Sequence, residues 1–142
     1  RHYAPGAHVV TFGWEGFTVA PFVCYDLRFP EVYRVAAARG ADLLVTIANF
    51  PTARVHHWTS LLTARAIENQ AYAVGVNRCG ADPNVAYPGR SLVVDPEGRV
   101  VADAGEAEGV VTVDLSLQDL RAYRTRFPAL RDLRPDFVPF AS

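Results

Sequence analysis

The chain has 142 residues, of which half are apolar, and a formal net charge of −1 at pH 7. This length suits one domain with its own core, spanning residues 1–142, and the lack of a basic surplus argues against nucleic acid as a main partner. No apolar run approaches the roughly 20 residues that a membrane-spanning helix needs, and the N-terminus has no signal-peptide pattern, so we expect a cytoplasmic protein without a membrane partner.

Two residue types are missing from the chain, and both bear on what it is. It contains no methionine, and each of its 14 basic residues is an arginine. We therefore expect it to be part of a longer protein, and any lysine that works with its functional site must lie outside this chain. The two cysteines, Cys24 and Cys79, are too few for a disulfide framework and are predicted to be free thiols.

The first half of the chain reads as alternating strands and helices. Residues 8–12 and 17–23 are predicted strands around a glycine-bounded turn, which indicates a hairpin. A short helix with proline and an acidic residue in its first turn is predicted for residues 30–39. Residues 42–48 form an almost continuous apolar run, typical of a strand covered on both faces. Strand, helix and strand in this order predict a right-handed βαβ unit.

The second half is predicted to contain one longer helix, residues 56–69, whose apolar positions follow the helical period. Residues 95–98 read Asp-Pro-Glu-Gly, which is the pattern of a type I turn inside a hairpin. The further elements, in chain order, are a strand at 71–77, a loop at 78–89, hairpin strands at 91–94 and 99–102, a strand at 109–113, a helix from its cap at Ser116 to about residue 124, and a tail at 126–142.

Cys24 stands in the setting that suggests chemistry. An apolar strand ends on it and a helical stretch follows, which would lift the sulfur to the carboxyl edge of the sheet, with backbone amides facing it. Helix-start amides and a nearby cation, such as Arg28 or a lysine from elsewhere, stabilise a thiolate. From position alone, however, a buried free cysteine is the commoner outcome, so the nucleophile and the structural thiol both stay open at this point.

Several ordered motifs resemble the nitrilase superfamily of carbon–nitrogen hydrolases, and the pattern is most similar to its ω-amidase group. The likeness covers nearly the whole chain, which corresponds to the carboxyl-terminal half or so of a family member. The segments that carry it are Val23-Cys24-Tyr25-Asp26-Leu27-Arg28-Phe29-Pro30-Glu31, residues 47–51, His57-Trp58, residues 64–72, Gly75-Val76-Asn77-Arg78, residues 95–98 and Phe127-Pro128.

This resemblance implies an α/β fold that is half of a four-layer αββα sandwich, and a Glu–Lys–Cys triad with Cys24 as the nucleophile. The backbone N–H of Tyr25, together with the lysine, would hold the oxyanion. The family's glutamate and lysine precede the cysteine by more residues than this chain provides. The implied reaction is hydrolysis of a small carboxylic-acid monoamide to acid and ammonia through a thioester, without a cofactor.

The resemblance also places Asn49, Phe50 and Trp58 near the substrate pocket, although a buried tryptophan at the start of an amphipathic helix is more often core packing. Asp26 and Arg28 are expected to bond within the turn after Cys24 and to orient it. Contact between Arg28 and a substrate carboxylate is the alternative, which places Arg28 in the pocket.

Arg65 and Glu68 are three residues apart on the longer helix and by default form a solvated surface pair. Because Arg65 borders the apolar stripe, a buried pair at a subunit contact is the alternative, and in either case we assign the pair a structural, supporting role. His56 and His57 point about 100° apart on a helix, so we predict no metal site there.

Two other function classes stay open. One is a cysteine amidotransferase or hydrolase in which Cys24 works with His56 or His57. The other is a non-catalytic assembly module that only binds partners. For assembly we predict a homodimer, because the tail at residues 126–142 carries more apolar surface than a free tail should expose, and in the family a corresponding helix and tail pack across a two-fold axis.

Overall fold

The computed structural model describes Ala4, residues 6–134 and Asp136. Its centre is a six-stranded sheet, and a two-stranded hairpin stands apart from it. The strands of the large sheet are β1 (Phe12–Trp14), β2 (Phe17–Val23), β3 (Leu43–Ala48), β4 (Tyr72–Asn77), β7 (Leu92–Val94) and β8 (Val100–Asp103). The hairpin consists of β5 (Cys79–Ala81) and β6 (Ala86–Pro88), and the helices are α1 (Pro30–Ala38), α2 (Val55–Asn69) and α3 (Leu117–Arg126).

The large sheet has a parallel centre with antiparallel edges. Its strand order is β1-β2-β3-β4-β7-β8, where β2, β3 and β4 run parallel and the other pairings are antiparallel. Helix α1 connects β2 to β3 and α2 connects β3 to β4, as the predicted βαβ unit requires. In the register, Val23 pairs with Ile47 and Ile47 with Val76, so the three parallel strands end at the same edge.

The main core lies between one face of the sheet and the two helices α1 and α2. Residues that alternate along the strands, such as Ala20 and Phe22 of β2, pack there against Tyr33 of α1 and Trp58 and Leu62 of α2. This is the pattern expected of strands whose inward side chains recur every second residue. One sheet and one helical layer confirm the predicted α/β class and correspond to half of the expected αββα sandwich.

The opposite face of the sheet is covered at one end only. Near the amino ends of the parallel strands, α3 packs Leu120 against Phe17 and Tyr72. Toward the carboxyl ends the face is open: Val23, Ile47 and Val76 lie side by side and are 59%, 54% and 49% exposed. An apolar sheet face of this kind is normally buried by a second layer.

Three expectations differ from the structure. The first strand comprises residues 12–14 and not 8–12. The predicted loop at 78–89 contains the hairpin of β5 and β6, whose turn is closed by Asp82, since its Oδ1 accepts hydrogen bonds from the N–H groups of Asn84 and Val85. Residues 109–113, predicted to be a strand, pair with no strand among the described residues, and Val110 is 94% exposed there.

The remaining elements match the prediction to within a few residues. The turn at residues 95–98 forms with Asp95 as its acceptor, and Ser116 caps α3 by accepting a hydrogen bond from the N–H of Asp119. Among the described residues, no helix combines the length and apolar character needed to cross a membrane. The tail expected at residues 126–142 lies partly outside the described residues.

Candidate active site

The chain makes a sharp turn at Cys24. Strand β2 ends at Val23, and Cys24 has φ +46°, in the left-handed region that L residues seldom adopt. A five-residue 3-10 helix, Cys24–Arg28, follows directly, and α1 begins only at Pro30. Strained backbone of this kind is found where a side chain is held in a particular orientation. The half-buried Cys24 thus sits at the carboxyl edge of the sheet, and the turn that it starts is called the elbow below.

Asp26 closes the elbow from within. Its carboxylate accepts a hydrogen bond of 2.9 Å from the N–H of Val23, the residue before Cys24. Its carbonyl accepts another of 2.9 Å from the N–H of Phe29, just after the elbow. One residue therefore fixes both ends of the turn, which agrees with the orienting role expected of Asp26.

Arg65 braces the elbow from α2. It is 4% exposed, and its Nη2 donates a hydrogen bond of 2.7 Å to the carbonyl of Leu27, three residues after Cys24. Its Nη1 donates to Glu68 at 2.9 Å, and its guanidinium lies 5.2 Å from the centre of the Tyr33 ring. The default expectation of a solvated surface pair is therefore wrong: Arg65 is buried within one subunit, and only Glu68 reaches solvent.

Arg28 has a different environment from Arg65. Its guanidinium lies 5.4 Å from the centre of the Phe50 ring, and Nη1 donates a hydrogen bond of 3.4 Å to Nδ1 of His57. Within the part of the chain that the structure describes, no carboxylate forms an ion pair with Arg28 or Arg54. Arg28, the last residue of the elbow, and Arg54 thus have no anionic partner among the described residues.

The same cations act on His57. Desolvation lowers the pKa of His57 below its ordinary value of 6.5, and the neighbouring His56, Arg28 and Arg54 lower the pKa further. The imidazole is therefore neutral near pH 7 and accepts the hydrogen bond from Arg28 without adding a charge. This leaves the arginines as the source of positive potential at this edge of the sheet.

Phe50 and Trp58 lie beneath the site. Both are nearly or fully buried, and their rings are 5.4 Å apart. The indole N–H of Trp58 donates a hydrogen bond of 2.7 Å to the carbonyl of Arg90. The Trp58 ring packs in the core, which is the alternative weighed for a buried tryptophan, and its place near the substrate pocket stays a prediction. The ring of Phe50 lies against the guanidinium of Arg28, whereas Asn49 is exposed at the edge.

The two adjacent histidines of α2 contact each other. Their rings stack edge to face with centroids 4.2 Å apart. Among the described residues there is no group of three or more His, Cys, Asp or Glu side chains that could hold a metal ion. Among the hydrogen bonds of the described residues, none joins His56 or His57 to Cys24. His57 accepts its hydrogen bond from Arg28.

Asn77 is a residue at this edge that the sequence analysis did not single out as functional. It is the last residue of β4 and pairs with Ala48 of β3, so it lies at the same edge as Cys24. Its side chain is buried and hydrogen-bonds to the loop that contains Phe50. The sequence did contain a signal for Asn77, because it is a polar residue at the end of a buried strand. Cys24 was recognised from the same kind of position.

Comparison with known proteins identifies the family to which this chain belongs. The family model described as carbon-nitrogen hydrolase matches residues 3–125. Omega-amidase YafV of Escherichia coli K12 is 45% identical over 133 residues, which are 92% of this chain and 51% of that relative. The chain therefore spans about half the length of the curated relatives that it matches.

Two solved structures share the fold. XC1258 of Xanthomonas campestris, a CN-hydrolase superfamily protein with an arsenic adduct in its active site, is 41% identical with a TM-score of 0.88, covering 93% of this chain and 52% of that one. A mutant of the amidase from Nesterenkonia sp. AN1, which shows covalent addition of the acetamide moiety of fluoroacetamide at its active-site cysteine, is 36% identical with a TM-score of 0.71, covering 87% of this chain and 49% of that one. The predicted resemblance is confirmed: this chain belongs to the carbon–nitrogen hydrolase family, and within it is similar to the ω-amidases.

Proposed function

We propose that the full-length protein containing this chain hydrolyses a small carboxylic-acid monoamide to the acid and ammonia, with Cys24 as its nucleophile. The observation that carries this proposal is the elbow itself, in which Cys24 takes a left-handed conformation between strand β2 and a 3-10 helix and is fixed by Asp26 and Arg65. A thiol on a braced turn at the end of a buried strand is held for attack.

The proposed reaction has two halves. The Cys24 thiolate attacks the amide carbonyl carbon, and the oxyanion that forms is held by the backbone N–H of Tyr25. The C–N bond then breaks, and the nitrogen takes up a proton and leaves as ammonia, so that the acyl group remains on sulfur as a thioester. Water adds to the thioester carbonyl, the C–S bond breaks, and the acid and the Cys24 thiol are released.

We propose that a general base and a second oxyanion donor come from outside this chain. The chain contains no lysine, and it spans about half the length of its curated relatives. The open apolar face formed by Val23, Ile47 and Val76 lies beside the elbow and gives a further sheet a place to pack. We propose that the complete protein supplies a glutamate and a lysine from that second layer.

Arg28 and Arg54 suggest the substrate class. Both lack a carboxylate partner among the described residues, and Arg28 lies over the Phe50 ring at the edge where Cys24 stands. Guanidinium groups bind carboxylates through charge-assisted hydrogen bonds. A substrate with a free carboxylate at one end and an amide at the other would place its charge on Arg28 and its amide at Cys24. The ω-amidase name of the Escherichia coli relative is in keeping with such a substrate.

The test is ammonia release by the purified full-length protein and two cysteine variants. We expect hydrolysis of a dicarboxylic acid monoamide to exceed that of the uncharged alkyl amide of equal length at least about tenfold, since one charged contact contributes a few kcal/mol. Cys24→Ala should lower the rate at least about a thousandfold, whereas Cys79→Ala, the matched control, should leave it unchanged. Equal rates for Cys24→Ala and the unaltered protein would contradict the proposal.

A further inference from the structure

Asn77 uses its whole side-chain amide to join two segments of the active-site edge. Its Oδ1 accepts a hydrogen bond of 2.7 Å from the N–H of Phe50. Its Nδ2 donates to the carbonyl of Phe50 at 3.1 Å and to the carbonyl of Gly89 at 2.8 Å. A planar amide offers one acceptor and two donors without charge, and here each of these groups has a backbone partner.

The two joined segments carry different parts of the edge. Phe50 lies in the loop between β3 and α2, and its ring supports the guanidinium of Arg28 at 5.4 Å. Gly89 is at the base of the hairpin of β5 and β6. That hairpin also contacts the loop after Phe50, because the hydroxyl of Thr52 donates a hydrogen bond of 3.1 Å to the carbonyl of Ala86. The loop and the hairpin are therefore connected to each other by the Thr52 hydrogen bond, and Asn77 connects them a second time through Phe50 and Gly89.

The backbone of Asn77 is fixed as well. Its N–H donates a hydrogen bond of 3.0 Å to the hydroxyl of Ser91, and Asn77 is 7% exposed. A buried amide with a fixed backbone and satisfied donors has little freedom to move. The position of the loop that contains Phe50 is thus set by Asn77 at the end of β4 and not by contacts within the loop itself.

We propose that Asn77 is a positioning residue for substrate binding: it fixes the Phe50 loop and, through the Phe50 ring, the guanidinium of Arg28. This inference rests on the proposed amidase function. The hydrogen bonds of Asn77 within the described residues go to Phe50, Gly89 and Ser91 and not to residues 24–28, so its loss should weaken the hold on the substrate carboxylate and leave the reactivity of the thiol intact.

The variant Asn77→Asp keeps the size and the acceptor but removes both donors. In the full-length protein we expect KM for a dicarboxylic acid monoamide to rise about tenfold with kcat changed less than about threefold, and the alkylation rate of Cys24 to be unchanged. The matched control is Gln70→Glu. Gln70 also has a buried side-chain amide, which donates a hydrogen bond to the carbonyl of Phe127, but it lies just before the amino end of β4, whereas Asn77 is at the carboxyl end. Gln70 should tolerate the same chemical change without an effect on KM.

A second measurement does not depend on activity. Hydrogen exchange in Asn77→Ala should become faster at residues 49–52 and 79–88 and stay unchanged at the elbow, residues 24–28. Turnover by the unaltered protein tests the proposed function separately. Unchanged KM for Asn77→Asp in an active protein would overturn the inference, and so would unchanged exchange in Asn77→Ala, whether or not the protein is active.

Discussion

The buried guanidinium of Arg65 on α2 donates a 2.7 Å hydrogen bond to the carbonyl of Leu27, three residues beyond Cys24. This bond connects the helix at the centre of the core to the turn that holds the thiol. The second nitrogen of Arg65 is paired with Glu68, so the guanidinium holds both the elbow and its own helix. The geometry of the elbow is therefore coupled to the packing of α2 against the sheet.

The first prediction concerns Arg65. Replacing it in Arg65→Met should lower the free energy of unfolding by about 2–4 kcal/mol, because the buried carbonyl of Leu27 loses its donor and Glu68 keeps only its longer contact with Arg34, at 3.9 Å. Chemical denaturation measures the loss. The matched control is Arg99→Met, since Arg99 also pairs with carboxylates but is 70% exposed, and it should cost less than about 1 kcal/mol. Equal losses for the two variants would contradict the bracing role of Arg65.

A second prediction concerns the contact between α2 and β4 at Gly75. A Cβ atom there would overlap Cδ1 of Leu62 and lie 2.6 Å from the Trp58 ring. Gly75→Ala should therefore lower the free energy of unfolding by about 1–3 kcal/mol through overpacking. Gly13→Ala serves as the control, since a Cβ on Gly13 meets no atom within 4 Å. Chemical denaturation measures both free energies of unfolding. Equal values for the two variants would show that α2 does not pack on β4 as closely as described.

The third prediction concerns the pKa of His57. Desolvation and the cations around it lower this pKa below 6.5, so the folded state binds fewer protons at His57 than the unfolded state as the pH falls. The contribution of His57 to stability should be complete above about pH 6.5 and be lost as the pH falls through the lowered value. An NMR titration of the imidazole measures the pKa directly.

Two arginine variants separate the causes of this shift. Arg28→Ala should raise the pKa of His57 only part of the way, because desolvation is the larger cause. Arg121→Ala removes an exposed arginine from α3 and should leave it unchanged. A His57 that titrates at or above 6.5 in the unaltered protein would show that the cations do not surround it as described.

The fourth prediction concerns assembly. We predict a homodimer whose interface includes the tail at residues 126–142, and the exposed ring of Phe127 is in keeping with this. Two further phenylalanines of the tail, Phe137 and Phe140, lie outside the described residues. Light scattering of the intact protein and of a version ending at Pro128 tests it. The shortened version should be monomeric.

The end point of that truncation is chosen from the structure. Arg124 pairs with Asp42 at 2.7 Å, and the carbonyl of Phe127 accepts a hydrogen bond from Gln70, so a version ending before these residues would unfasten α3 from the sheet. A version ending at Pro128 keeps both contacts. A monomeric intact protein, or a dimer that survives the truncation, would contradict the prediction.

Local patterns predicted most of the fold. The period of α2, the turn at residues 95–98 and the cap at Ser116 depend on nearby residues, and all three are present. The strands β5 and β6 were missed because three residues are too few for an alternating pattern to stand out among glycines and prolines. Residues 109–113 have the pattern of a strand, but a strand also needs a neighbour, which the described residues do not provide.

The site was harder to predict than the fold, because its contacts are long-range. Arg65 looks like a surface residue from its spacing to Glu68, and only the packing of α2 against the elbow reveals its bond to Leu27. Trp58 was assigned to the pocket by resemblance, yet its ring is in the core. Cys24 was recognisable since its signal, an apolar strand that stops on a thiol, is contained in the sequence itself.

The central claim is that the elbow makes Cys24 the reactive thiol of this protein, and one measurement tests it directly. The full-length protein is treated with iodoacetamide near neutral pH, and mass spectrometry follows the labelling of Cys24 and Cys79 with time. Both thiols are half-buried, so exposure alone does not favour either. Because the elbow holds Cys24 at the edge of the sheet, where we propose that the complete protein adds a lysine, we predict that Cys24 is labelled at least about tenfold faster than Cys79. Equal labelling rates for the two cysteines would contradict the account and leave Cys24 as a structural residue.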